Sequence, residues 1–258
     1  MVSLVSEPIF RIGSFNVTNT ITDTLFVDLV LIATMVAINI NLKKIPNFFQ
    51  NLVEFIIKTF YDLNESISEE RTKKIFPWFM SFFIFILIAN WSELIPGFSS
   101  IGLREGHTIV PFFRGASSDL NTTLALAIVS AVATHVMSIR AIGIKDYLSR
   151  FFSLNPINLF VGLLELVSEF TKIISLSFRL FGNVFAGTVV LGIISGFAAL
   201  IAPIPFMALE IIVGLVQALI FAMLTMVFMT ILTTPHAAEA HIENEFEKTK
   251  HRKGVRAK

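Results

Sequence analysis

Six residues of one apolar stretch stand at spacings that put them on a single side of a helix. Glu165, Glu169, Lys172, Arg179, Asn183 and Gly187 occupy positions i, i+4, i+7, i+14, i+18 and i+22. At about 100° per residue they fall within roughly 40° of one line, a polar stripe through apolar surroundings. Ionised side chains inside a bilayer are costly, and they mark either ion paths or buried pairs. Glu165, Glu169 and Lys172 could pair and reach to the membrane surface, or line a route for a cation. Arg179 has no acidic residue one turn away on its own helix, so a partner must come from another element. Ala186 and Gly187 leave room for a neighbouring backbone or side chain to approach. A later stretch repeats the pattern: Glu210 and Gln217 are seven apart on one face, with Gly214 between them. A carboxyl in Ala-Leu-Glu-Ile-Ile-Val could bind and release a proton near neutrality, or stay neutral and hydrogen-bonded in a helix pair.

The elements that must hold these residues are membrane spans. Of the 258 residues, 54% are apolar, 15% are charged and 27 are Phe, and mean hydropathy is +0.76; soluble domains run at about 45–50% apolar. A net charge of +1 gives no basic field for nucleic acid. Zero cysteines exclude disulfides and thiolate metal sites. No G-x-G-x-x-G, P-loop or H-E-x-x-H occurs, and His236 with His241 makes a poor metal site, so neither cofactor nor metal is expected.

A crossing takes roughly 20 apolar residues. Runs at 24–42, 76–95 and 120–142 each supply one, and 156–232, broken by Pro203 and Pro205, reads as a helical hairpin. The expected fold is therefore an all-α polytopic membrane protein with five membrane-embedded segments, the last two a long, steeply tilted hairpin. Residues 157–196, at ~1.5 Å each, would reach roughly 60 Å, far more than an upright crossing of ~30 Å needs. Residues 1–23 form a segment before the first span, and Glu7, Asp23 and Asp28 stand where a cleaved signal would be basic. Within 43–75, Phe48, Phe49, Leu52, Phe55, Ile56, Phe60 and Leu63 recur at helical spacing over 46–67, which reads as an amphipathic surface helix. The alternative is a short hairpin packed on the other helices. Residues 233–258 read as a solvated tail.

Fifteen of the twenty Lys and Arg residues fall in the first loop, the third loop and the tail. The positive-inside rule then places the N-terminus outside and the tail in the cytoplasm, consistent with five crossings. Trp78 and Trp91, near the two ends of the second span, suit interfacial anchors.

The run Ser175-Leu176-Ser177-Phe178-Arg179-Leu180-Phe181-Gly182-Asn183-Val184-Phe185-Ala186-Gly187, followed by Glu210 and Gln217-Ala218-Leu219-Ile220-Phe221, resembles subunit a of the F-type ATP synthase in its bacterial style. Asn90 with Leu94-Ile95-Pro96-Gly97, and Ser118-Asp119-Leu120-Asn121, are weaker echoes. The resemblance implies a non-catalytic stator that faces a rotating ring of small hairpin subunits, each with one carboxylate, together with peripheral stalk subunits, in a bacterial plasma membrane. It also implies two offset half-channels for protons, Na⁺ not being excluded. Arg179 matches the essential arginine between them. Asp119, Asn183, Glu210 and Gln217 match outer half-channel positions, and Glu165 and Ser175 match cytoplasmic ones; Glu169 joins these from the stripe alone. Asp119 could equally cap the third span's helix.

The chain departs from the family pattern at Thr188, where many relatives carry Glu or His nine residues after the arginine. Threonine cannot titrate, so Glu210 would act without that partner, or His135 inside the third span would compensate, unless it is a packing histidine. Two other classes remain: an independent transporter or channel, which would show inverted repeats, and a scaffold whose buried charges are structural.

Overall fold

The computed structural model describes residues 7–13, 15–68, 71–95, 97, 101–105, 108–152, 156–197 and 202–234. The tail with His236 and His241, the first six residues and Pro96 lie outside the described residues.

Five described helices are long and apolar enough to cross a membrane. They are α1 (Asn19–Ile40), α3 (Thr72–Ser92), α4 (Leu120–Ile142), α6 (Pro156–Phe197) and α7 (Pro203–Thr233), with α2 (Phe48–Ser68) and the short α5 (Ile144–Phe151) between them. The chain is thus the expected all-α polytopic membrane protein. Two features go beyond that expectation. Antiparallel hairpins β1/β2 (Pro8–Ile12 and Phe15–Thr18) and β3/β4 (Gly102–Glu105 and Thr108–Pro111) cluster before α1 and α4. Helix α5 turns off α4 at Gly143, whose φ of +86° is open to glycine and disfavoured for other residues.

The breaks in the last apolar region follow from proline chemistry. Pro203 and Pro205 lie in the first turn of α7, where backbone N–H groups have no intrahelical partner, so the rings start the helix without breaking it. Pro156 opens α6 in the same way. With no proline inside it, α6 runs 42 residues, or ~63 Å. A helix that long must lie oblique to, or extend beyond, an apolar layer of ~30 Å.

Helix α1 packs against α3, α3 against α7, and α4, α6 and α7 pack against one another. The core runs through Phe79, Phe82, Phe83 and Ile86 of α3, Leu176 and Leu180 of α6, and Ala218, Phe221, Ala222 and Met226 of α7. Lipid is as apolar as Leu, so close packing and interhelical hydrogen bonds must supply much of the adhesion. Both are present. Asn90 Nδ2 donates to the Gly214 carbonyl (3.1 Å), Trp91 Nε1 to that of Ile211 (3.1 Å) and Ser138 to that of Leu232 (2.5 Å), while the Ser130 and Thr225 hydroxyls meet at 2.8 Å. Trp91, expected as a surface anchor, thus ties α3 to α7.

Helix α2 is amphipathic as its spacing predicts. Its end packs through Phe60 on Phe79 and Phe83, and it buries Asn64 and Ser68. Phe48 and Phe55 at its start are 88% and 68% exposed, a face suited to an apolar medium. The segment is thus one helix and not a hairpin, with one end packed on α3 and the other presenting an apolar face.

Candidate functional site

The polar stripe of α6 divides when its neighbours are in place. Arg179 is the 24th of the 42 residues of α6 and is exposed. Among the described residues it makes no hydrogen bond or ion pair. Ser175, Gly182 and Ala186 share its outward face. A Cβ built on Gly182 would meet nothing within 4 Å, so the smallness of that residue is not required by this chain's own packing.

Toward the end of the bundle that carries the hairpins, Asn183 is half-buried and its Nδ2 has no partner among the described residues. One turn further, Gly187 is buried beneath the carboxyl of Glu210 from α7, and a Cβ there would occupy the space of that carboxyl. Gln217 is buried two turns along α7. Asn183, Gly187, Glu210 and Gln217 therefore belong to the face where α6 meets α7. Asp119 stands apart at the head of α4. Its Oδ1 accepts from Asn121 N (2.8 Å), capping the helix, and its Oδ2 accepts from Thr20 (3.3 Å).

Two further carboxylates join this end that the stripe could not have shown. Glu93, just past the end of α3, accepts from the Thr188 hydroxyl at 2.5 Å, and its second oxygen is buried without a hydrogen bond among the described residues. Its charged neighbours are Asp23, Arg114 and Glu210. Asp23 of α1 is 1% exposed; its Oδ2 accepts from Ala116 N (2.8 Å) and Ser92 (3.3 Å), and its Oδ1 has no such partner. The available signal was a carboxylate at the end of an apolar run, read across helices instead of along one. Thr188 thus lacks a titratable group of its own but touches one.

At the other end, Glu165 and Glu169 turn inward. Arg150 of α5 donates to Glu165 at 2.6 Å and to the Ile231 carbonyl at 3.3 Å, which ties α5 to both α6 and α7. Lys172 donates to Glu169 at 2.8 Å, with its ammonium 4.4 Å from the centre of the Phe228 ring. His135 joins the same group, its Nε2 3.9 Å from Glu169 and its Nδ1 2.9 Å from the Tyr147 hydroxyl. It therefore lies away from Thr188 and does not compensate for it. A cavity of about 20 Å³ opens among Ser130, Thr134, Glu169, Lys172, Leu176 and Phe228. That is room for about one water molecule. Ser175 stays on the exposed face and does not join this group.

The arrangement is thus two separate polar clusters at opposite ends of α6 and a lone permanent cation on an open face between them. Groups of three or more metal-ligating side chains do not occur among the described residues. A sequence model of the ATP synthase A chain matches residues 21–230, which is 210 of the 258 residues and includes every charged residue of both clusters. The chain belongs to the ATP synthase A chain family, the membrane subunit a of the F-type ATP synthase.

Proposed function

We propose that this chain is the proton-translocating stator of the rotary complex, working against a ring of small hairpin subunits that each bear one carboxylate. The reading rests above all on Arg179, a guanidinium on an open helix face with no partner among the described residues. A charge at mid-membrane depth costs about 2.5–3.5 kcal/mol or more. A ring carboxylate arriving opposite it offsets that cost. Guanidinium holds the carboxylate ionised yet cannot give up its own proton, so it separates two proton routes without bridging them.

The outer half-channel comprises Asn183, Glu210, Gln217 and, nearer the surface, Asp119. Glu93 supplies the titratable group missing at Thr188, close to Glu210. The cytoplasmic half-channel runs past Glu165 and Glu169 toward Ser175. A ring carboxylate loads from one route, travels with the ring and unloads into the other. The membrane potential contributes ~2.3 kcal/mol per charge per 100 mV. In this reading the N-terminus lies outside, the tail lies in the cytoplasm, the membrane is a bacterial plasma membrane, and peripheral stalk subunits hold the chain against the ring's torque. The chain itself performs no covalent chemistry.

The test is ATP-driven acidification of inverted membrane vesicles carrying Arg179→Ala, with assembly of the complex measured in the same preparation. The expected result is an assembled complex that does not pump and leaks protons passively. Pumping at the wild-type rate would overturn the reading and favour a scaffold with structural charges.

A further inference from the structure

His135 sits between a phenol and a carboxylate at the end of the bundle that holds Arg150 and Glu165. We propose that His135 is a proton relay that collects protons at the cytoplasmic surface and hands them to Glu169, with Tyr147 as its positioning residue. The inference deepens the stator reading above and rests on it.

Three elements converge on the imidazole. From α5, Tyr147 approaches Nδ1 at 2.9 Å, with Arg150 nearby on the same helix. From α6, Glu169 faces Nε2 at 3.9 Å, Lys172 is paired with that carboxylate, and Glu165 lies one turn away, held by Arg150. Helix α7 brings Phe228 and no titratable group at this level, since its one such residue is Glu210 at the far end. On α4 itself, Arg140 is exposed. The His135 side chain is 28% exposed and that of Glu169 only 13%, so the pair grades from solvent inward.

Burial, with Glu169 and Glu165 nearby, pushes the Tyr147 phenol up from its ordinary value, more than Arg150 pulls it down. Tyr147 therefore stays protonated and can donate to Nδ1. That bond puts the hydrogen of the neutral ring on Nε2, aimed at Glu169.

Nδ1 takes a proton from the cytoplasmic side as the Tyr147 hydroxyl turns to accept, which makes an imidazolium. Attraction between the imidazolium and the carboxylate draws Nε2 and Glu169 together from 3.9 Å, and the Nε2 proton passes to the carboxylate. The ring is left neutral with its hydrogen on Nδ1, and exchange with solvent restores the first tautomer. Glu169, now a neutral acid, releases its proton to water in the adjoining cavity, from which the route continues toward Ser175. The Phe228 ring face holds the Lys172 ammonium in place while its carboxylate partner is neutral.

The experiment uses the whole complex in inverted vesicles, whose outer medium bathes the cytoplasmic face. ATP-driven pumping is measured from pH 6 to pH 8.5 for wild type, His135→Gln, His135→Ala, Tyr147→Phe and Arg179→Ala, each normalised to assembled complex. Glutamine keeps the size and hydrogen bonding of the site but cannot relay. His135→Gln is expected to pump roughly tenfold more slowly at pH 8, where protons are scarce, and within about twofold of wild type at pH 6. Tyr147→Phe is expected to move the inflection of the profile without abolishing it. Added imidazole is expected to restore pumping at high pH to His135→Ala, an effect that a purely packing histidine would not show. A His135→Gln profile that matches wild type at every pH, or a loss equal at all pH values and unmoved by imidazole, overturns the relay. If Arg179→Ala still pumps, the stator reading itself falls; if it stops pumping while His135→Gln behaves as wild type, only the relay falls.

Discussion

The hydroxyl of Thr188 donates to the carboxylate of Glu93 across 2.5 Å, which joins the C-terminal part of α6 to the end of α3. A position without a titratable group is thereby coupled to one on a different helix. Glu93→Gln is expected to leave the complex assembled and to slow ATP-driven pumping by about 100-fold or more, the lower end of the scale of a lost acid–base group. Adding Thr188→Glu to that variant should recover much of the rate. Equal rates for Glu93→Gln and wild type in the vesicle assay would remove Glu93 from the path.

Gly187 lies beneath the Glu210 carboxyl, which a Cβ there would have to displace. Gly187→Ala should gain helix propensity worth ~1 kcal/mol but force the two helices or the carboxyl aside, at ~1–3 kcal/mol. The expected net effect is slower pumping with little loss of stability, because Glu210 is displaced while α6 is strengthened. Combining it with Glu210→Asp, a shorter acid, should relieve the clash; pumping by the double variant is the measurement that checks it.

Arg150 and Glu165 pair at 2.6 Å with side chains 8% and 21% exposed. Glu165→Gln should therefore lower the thermal stability of the purified complex by an amount between the ~1 kcal/mol of an exposed pair and the ~3 kcal/mol at the low end for a buried one. A melting point unchanged by Glu165→Gln would show that the pair contributes nothing to stability.

Asp119 caps α4 and is also the carboxylate proposed nearest the outer surface. Asparagine caps as well as aspartate does, whereas alanine costs about 0.5–2 kcal/mol. Asp119→Asn should keep the wild-type melting point and slow pumping several-fold, and Asp119→Ala should lose both. Unaltered pumping in Asp119→Asn would assign the residue to the cap alone.

The spans were legible because membrane thickness sets the length of an apolar run, and 120–142 matches α4 at both ends. Pro203 and Pro205 marked the hairpin break because a proline ring fits best in the first turn of a helix, where the missing N–H is not needed. Helix α5 escaped notice, since eight residues that include Lys145, Asp146 and Arg150 make neither an apolar run nor a long period. The hairpin strands of four or five residues are too short for alternation to register. The site was only half legible for a related reason. Periodicity gives a residue's angle around its own helix but not which helix it meets. It grouped Arg179 with Glu169, although one faces outward and the other is held by Lys172. It was silent on Glu93, which reaches the Thr188 and Glu210 cluster from the end of α3.

The small residues around Arg179 bear on motion as well as on proximity. Helices that interlock through ridges and grooves resist translation, because each side chain must climb out of its slot. Ser175, Gly182 and Ala186 raise no such ridge, and the space over Gly182 is open. Under the proposed arrangement this face is a plain bearing: a neighbour can slide past it with little corrugation to overcome, and electrostatics at Arg179 provides the one detent in each step.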